Sequence, residues 1–86
     1  MVKKVVTVCR EDGLEARPIA MLVQKASQFS STVHIEIGTK KVNAKSIMGM
    51  MTLALKAGEK LIVEANGIDE EAAIEGIEKY ISGQDA

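Results

Sequence analysis

Thr32-Val33-His34-Ile35-Glu36-Ile37-Gly38-Thr39-Lys40-Lys41-Val42 decides the fold of this chain. Val33, Ile35 and Ile37 alternate with Thr32, His34 and Glu36, so an extended run here has one apolar and one polar face. Gly38-Thr39 separates it from Lys40 to Val42 as a two-residue hairpin turn would. The two strands are therefore antiparallel neighbours, in a sheet with one apolar face to cover.

Upstream, Ile19, Leu22, Val23, Ala26 and Phe29 recur at helical spacing, and Pro18 falls in the first turn, where a missing N–H is harmless. This predicts a helix ending near Gln28. Before it, Val2 to Val8 reads as a half-buried strand, stopped by a turn of Arg10, Glu11, Asp12 and Gly13. Downstream, Ser46 stands as an N-cap before a short apolar helix, Ile47 to Leu55. Ala57-Gly58-Glu59 breaks that helix, and Lys60 to Asn66 forms a fourth strand with Leu61, Val63 and Ala65 inward. Asp69 is predicted to cap a last helix, with Glu70 and Glu71 complementing its dipole and Ala73, Ile74, Ile77 and Ile81 forming the buried stripe. Gly83 to Ala86 is expected to fray. The order is βαββαβα, and an α+β architecture follows: a four-stranded antiparallel sheet with three helices on one face.

Eighty-six residues, 47% hydrophobic and 27% charged, make one domain spanning 1–86, too small for the deep pocket of a self-sufficient enzyme. Eleven basic against twelve acidic residues leave no footprint for a phosphate backbone. The two aromatics, Phe29 and Tyr80, are expected on buried helix faces, so bases have nothing to stack on. Direct nucleic-acid binding is not expected. Cys9 is the single cysteine and His34 the single histidine, which argues against a soft metal site; we expect no metal or cofactor, and a reducing, cytoplasmic setting. No apolar run is long enough for a membrane span, and the start of the chain alternates instead of forming a signal-peptide core.

Two stretches do not read as scaffold. Gly13-Leu14-Glu15-Ala16-Arg17-Pro18 enters the first helix, where free N–H groups and the guanidinium of Arg17 suit an anion, although solvated residues at a helix start look the same. Asn43-Ala44-Lys45-Ser46-Ile47-Met48-Gly49-Met50-Met51 holds three of the five methionines. A two-turn helix cannot turn Ile47, Met48, Met50, Met51 and Leu53 toward one core, so we read part of it as a docking surface, with adaptable core packing as the alternative. Ser46 serves as an N-cap in either case. Phosphorylated, it would put a dianion at the helix start, where the dipole and Lys45 tolerate it, recharging the rim of the patch. His34 is expected to be solvated on the open face of the sheet, Cys9 inert at a strand end, and the carboxylate pairs Glu11-Asp12 and Glu70-Glu71 without acid–base work.

The two motifs, Gly13-Leu14-x-Ala16-Arg17-Pro18 and Asn43-Ala44-Lys45-Ser46-Ile47-Met48-Gly49, in a chain of this length, resemble the phosphocarrier protein HPr of the bacterial sugar phosphotransferase system, as does the helix start Asp69-Glu70-Glu71-Ala72. The family fold is an open-faced sandwich of four antiparallel strands and three helices. In the family, a histidine between the residues matching Leu14 and Ala16 receives a phosphoryl group from enzyme I and passes it to permease components, steadied by the arginine matching Arg17. Here that residue is Glu15, a carboxylate that repels phosphate and forms only an acyl phosphate. The serine matching Ser46 is the site of HPr kinase/phosphorylase.

Loss of the carrier histidine with retention of the serine resembles the catabolite-repression branch of the family, Crh, which has glutamine in place of the histidine. That resemblance implies a regulatory protein, not an enzyme, that binds a CcpA-type repressor once Ser46 is phosphorylated. It implies Ile47, Met48 and Met51 as the apolar contact, Arg17 at its rim, and Ala20 and Met21 from the first helix. An alternative stays open, a phosphocarrier with a natural or engineered substitution at position 15 that still serves enzyme I and permease components. So does a third reading, Glu15 as a fixed charge mimic of phosphohistidine.

Overall fold

The computed structural model describes residues 1–9, 16–53 and 56–83, with the main chain alone at 16–18. Its elements are β1 (Val2–Thr7), α1 (Ala16–Ser27), β2 (Thr32–Ile37), β3 (Lys40–Asn43), α2 (Ile47–Met50), β4 (Lys60–Asn66) and α3 (Glu70–Ile81). The strands form one antiparallel sheet in the order β1-β4-β2-β3. The predicted hairpin is present: Ile37 pairs with Lys40, and Gly38 supplies the positive φ, 59°, that the tight turn requires.

Alternation decides which side of the sheet is covered. Val33 and Ile35 of β2 and Leu61, Val63 and Ala65 of β4 are buried against Ile19, Leu22 and Ala26 of α1 and Ala73, Ile77 and Ile81 of α3, in one continuous core. The helices thus share one face, as expected. No helix among the described residues is long and apolar enough to cross a membrane.

The opposite face carries charge. Glu64 is only 5% exposed, and its carboxylate meets Lys41 at 2.9 Å, Lys3 at 3.4 Å and His34 Nδ1 at 3.9 Å. The Lys41 hydrogen bond holds the Glu64 carboxyl below its ordinary range and, in return, raises the Lys41 ammonium. His34 does lie on this face, but it is half-buried in the cluster and not freely solvated.

Three details differ from the sequence expectations. Helix α2 ends at Met50 and not at Leu55, because Thr52 N–H bonds to the Gly49 carbonyl and Leu53 N–H to the Met50 carbonyl, tightening the last turn to an i, i+3 pattern. The Thr52 hydroxyl also donates to the Gly49 carbonyl at 2.6 Å. Residues 54 and 55, like the end of the predicted frayed tail, 84–86, lie outside the described residues. Phe29 follows α1 instead of completing it, and packs half-buried over Gly76 of α3.

Asp69 stands at the N-cap position of α3 without capping it. Its carboxylate instead accepts the N–H groups of Ser30 and Ser31, both at 2.8 Å, and the Ser31 hydroxyl. It thereby ties the α1–β2 loop to α3, while Glu70 accepts the Gly67 N–H at 3.2 Å and pairs with the chain's amino terminus at 3.1 Å. The Ser31 hydroxyl and then the Ser30 N–H hold the Asp69 carboxyl below the ordinary aspartate range. A depressed folded value means stability that is full above the unfolded pKa and lost as pH falls through the folded one. Urea melts of the wild type and Asp69→Asn are therefore expected to differ most near neutrality and to converge as pH falls below the ordinary aspartate value of about 4. A constant difference over that fall would show that Asp69 contributes nothing through its charge.

Candidate functional site

The site begins where β3 ends. Ala44 is fully buried and its N–H bonds to the Val33 carbonyl at 2.8 Å, which fixes the chain as it leaves the sheet. Asn43 then builds the turn: its side-chain Oδ1 accepts the Lys45 N–H at 2.9 Å and its carbonyl accepts the Ser46 N–H at 3.0 Å. Ser46 follows in extended conformation and its Oγ accepts the Gly49 N–H at 3.3 Å, so the predicted N-cap is present. The Ser46 carbonyl accepts the Met50 N–H at 2.9 Å and starts the helix.

One turn of helix splits the apolar residues as its geometry demands. Met50 and Leu53 enter the core, while Ile47, Met48 and Met51 face outward, Met48 with 81% of its surface exposed. Met21, on α1 against which α2 packs, is exposed as well, and Ala20 is half-buried. The expected apolar surface beside Ser46 is therefore a feature of the fold, contributed by two neighbouring helices. Exposed methionine is adaptable packing material with no core to fill here.

Of the remaining candidates, Arg17 lies in the first turn of α1 but its side chain is outside the described residues, and Glu15 lies outside them altogether with the rest of 10–15, including the predicted turn at 10–13. Cys9 is exposed at the end of β1. Among the described residues, no three His, Cys, Asp or Glu side chains gather as metal ligands would.

Lys45, expected to tolerate a phosphoryl group on Ser46, has a partner of its own in the unmodified chain. Its Nζ donates to the carbonyl of Phe29 at 2.7 Å, just past the end of α1. No sequence pattern announces this contact, since it joins residues 16 positions apart through the tertiary fold.

The arrangement is an open-faced α+β sandwich with a capping serine at the edge of a short helix that exposes apolar side chains. The chain belongs to the HPr family: the family model described as the PTS HPr component phosphorylation site matches residues 2–83. The chain is 47% identical over 81 residues to the HPr-like protein Crh of Bacillus subtilis (strain 168), covering 94% of this chain and 95% of that one. Among solved structures, it is similar to HPr-C-His from Thermoanaerobacter tengcongensis, with a TM-score of 0.90 and 43% identity over 98% of this chain and 94% of that one. It is likewise similar to the phosphocarrier protein HPr from Bacillus anthracis str. Ames, with a TM-score of 0.89 and 44% identity over 93% of this chain and 95% of that one.

Proposed function

We propose that this chain is a single-domain, cytoplasmic regulatory member of the HPr family, non-catalytic, switched by phosphorylation of Ser46 by HPr kinase/phosphorylase. The phosphorylated form docks on a CcpA-type repressor and acts as its corepressor. The observation that carries this reading is the position of Ser46 at the N-cap of a helix whose Ile47, Met48 and Met51 face solvent. A phosphoryl group there adds negative charge at the positive end of α2 and at the rim of an apolar patch, changing what the patch can bind without entering the core. Ala20 and Met21 extend the contact, with Arg17 at its edge. The likeness to Crh of B. subtilis supports the regulatory branch, as does Glu15 in place of the carrier histidine.

Incubating the chain with enzyme I and phosphoenolpyruvate, and separately with the kinase, and weighing it by mass spectrometry tests the proposal. One phosphoryl adduct, on Ser46 and from the kinase alone, is expected. An adduct on Glu15 from enzyme I would overturn it. The second reading, a phosphocarrier with a substituted position 15, draws on the likeness to phosphocarrier HPr of B. anthracis. Under it, Glu15→His accepts phosphate from enzyme I and passes it on; under the regulatory reading, sugar-specific components take none from it.

A further inference from the structure

The α1–β2 segment has its polar groups divided among three parts of the molecule. Gln28 and Phe29 donate back to the Lys25 and Ala26 carbonyls at 3.1 and 3.2 Å, closing the last turn of α1, and Ser30 and Ser31 donate to Asp69. The Phe29 carbonyl, at the negative end of α1, is satisfied from a distance by the Lys45 ammonium at 2.7 Å. That ammonium belongs to the residue immediately before Ser46.

We propose that Lys45 relays the state of Ser46 to the end of α1: with Ser46 unmodified its ammonium caps the Phe29 carbonyl, and with a phosphoryl group on Ser46 it turns to the phosphate and leaves that carbonyl free. The proposal rests on Ser46 as the phosphorylated residue. A phosphoserine carries nearly two negative charges on three acceptor oxygens, whereas a peptide carbonyl is neutral, and a charged acceptor holds an ammonium more strongly. Lysine reaches either partner, because its charge sits on a flexible four-carbon stem. Lys41, by contrast, is already committed to Glu64 at 2.9 Å. The freed turn bears on the rest of the fold, since Phe29 packs against α3 so closely that a methyl group on Gly76 would lie 2.9 Å from its ring. Phosphorylation would then be felt on the α1–α3 side of the molecule as well as on the Met48 patch.

The test places phosphoserine at position 46 of the full chain during translation, so that no kinase need accept the protein, and follows the Phe29 carbonyl 13C resonance and amide exchange at Gln28 and Phe29. Phosphorylation is expected to move the Phe29 carbonyl toward its position in unphosphorylated Lys45→Met, and to speed exchange of the two amides by about threefold or more. In Lys45→Met, phosphoserine is expected to move the carbonyl no further. Should Lys45→Met fail to fold, Lys45→Gln, which keeps a neutral donor, is expected to show no Phe29 response. An unmoved carbonyl in the wild type, or an equal movement in either variant, would overturn the relay. Failure of the kinase reaction leaves this result untouched, and failure of the Phe29 response leaves the kinase reading standing.

Discussion

Met48→Asp is expected to weaken binding of the Ser46-phosphorylated chain to a CcpA-type repressor by at least about 2 kcal/mol, on the order of 30-fold, while leaving the unfolding free energy within about 0.5 kcal/mol. Both halves follow from its 81% exposure, the largest among the apolar residues of the patch. A side chain that far into solvent contributes little to the fold. At the centre of an interface the same side chain is desolvated, and an aspartate there is a buried charge without a partner, beside a phosphoserine of like sign. Met50→Asp should do the reverse, because Met50 is fully buried: it should unfold the domain before any partner is consulted. Equal repressor affinity for Met48→Asp and wild type, measured by titration calorimetry, would remove the patch from the interface.

Gly67→Ala is expected to cost about 3 kcal/mol of stability, because the new methyl has nowhere to go. A Cβ at position 67 would stand 2.6 Å from the Ser31 hydroxyl oxygen and 2.7 Å from the Ser31 Cα, so main chain must move, not merely a side-chain tip. Ser31 is buried and held by Asp69, so the strain passes directly into the contact that joins the α1–β2 loop to α3. Gly58→Ala is the matched control. Gly58 has φ of 89° with nothing within 4 Å of the added methyl, and should lose only the conformational term, about 1–2 kcal/mol. Equal losses at the two positions in denaturant melts would show that φ, and not close approach, decides the cost at Gly67.

These effects also mark how much could be read without coordinates. Period-two alternation in Val33-Ile35-Ile37 and Leu61-Val63-Ala65 is a local property that burial enforces, so the sheet and its covered face were legible. Helical spacing at Ala73, Ile74, Ile77 and Ile81 was legible for the same reason. That some apolar surface beside Ser46 faces solvent followed from counting, since one short helix cannot bury five large apolar residues, whereas Met48 as one of the outward residues came only with the family resemblance. What escaped were side chains whose partners are distant in sequence. Asp69 has the residue type and place of an N-cap, yet the loop 38 residues earlier offers its carboxylate two N–H groups and a hydroxyl, a better set than one helix-end amide. The bond from the Lys45 ammonium to the Phe29 carbonyl, just past the end of α1, likewise left no trace in the sequence. The end of α2 escaped because i, i+3 closure by Thr52 and Leu53 leaves no compositional trace.

Titrating a purified CcpA-type repressor with the unmodified chain, the chain phosphorylated on Ser46, and Ser46→Ala exposed to the same kinase tests whether one phosphoryl group on Ser46 turns the Met48 face into a binding surface. Binding by the phosphorylated chain alone, at least about tenfold tighter than either of the others, is the expected result. Equal affinity of all three, or tighter binding by the unmodified chain, would contradict it.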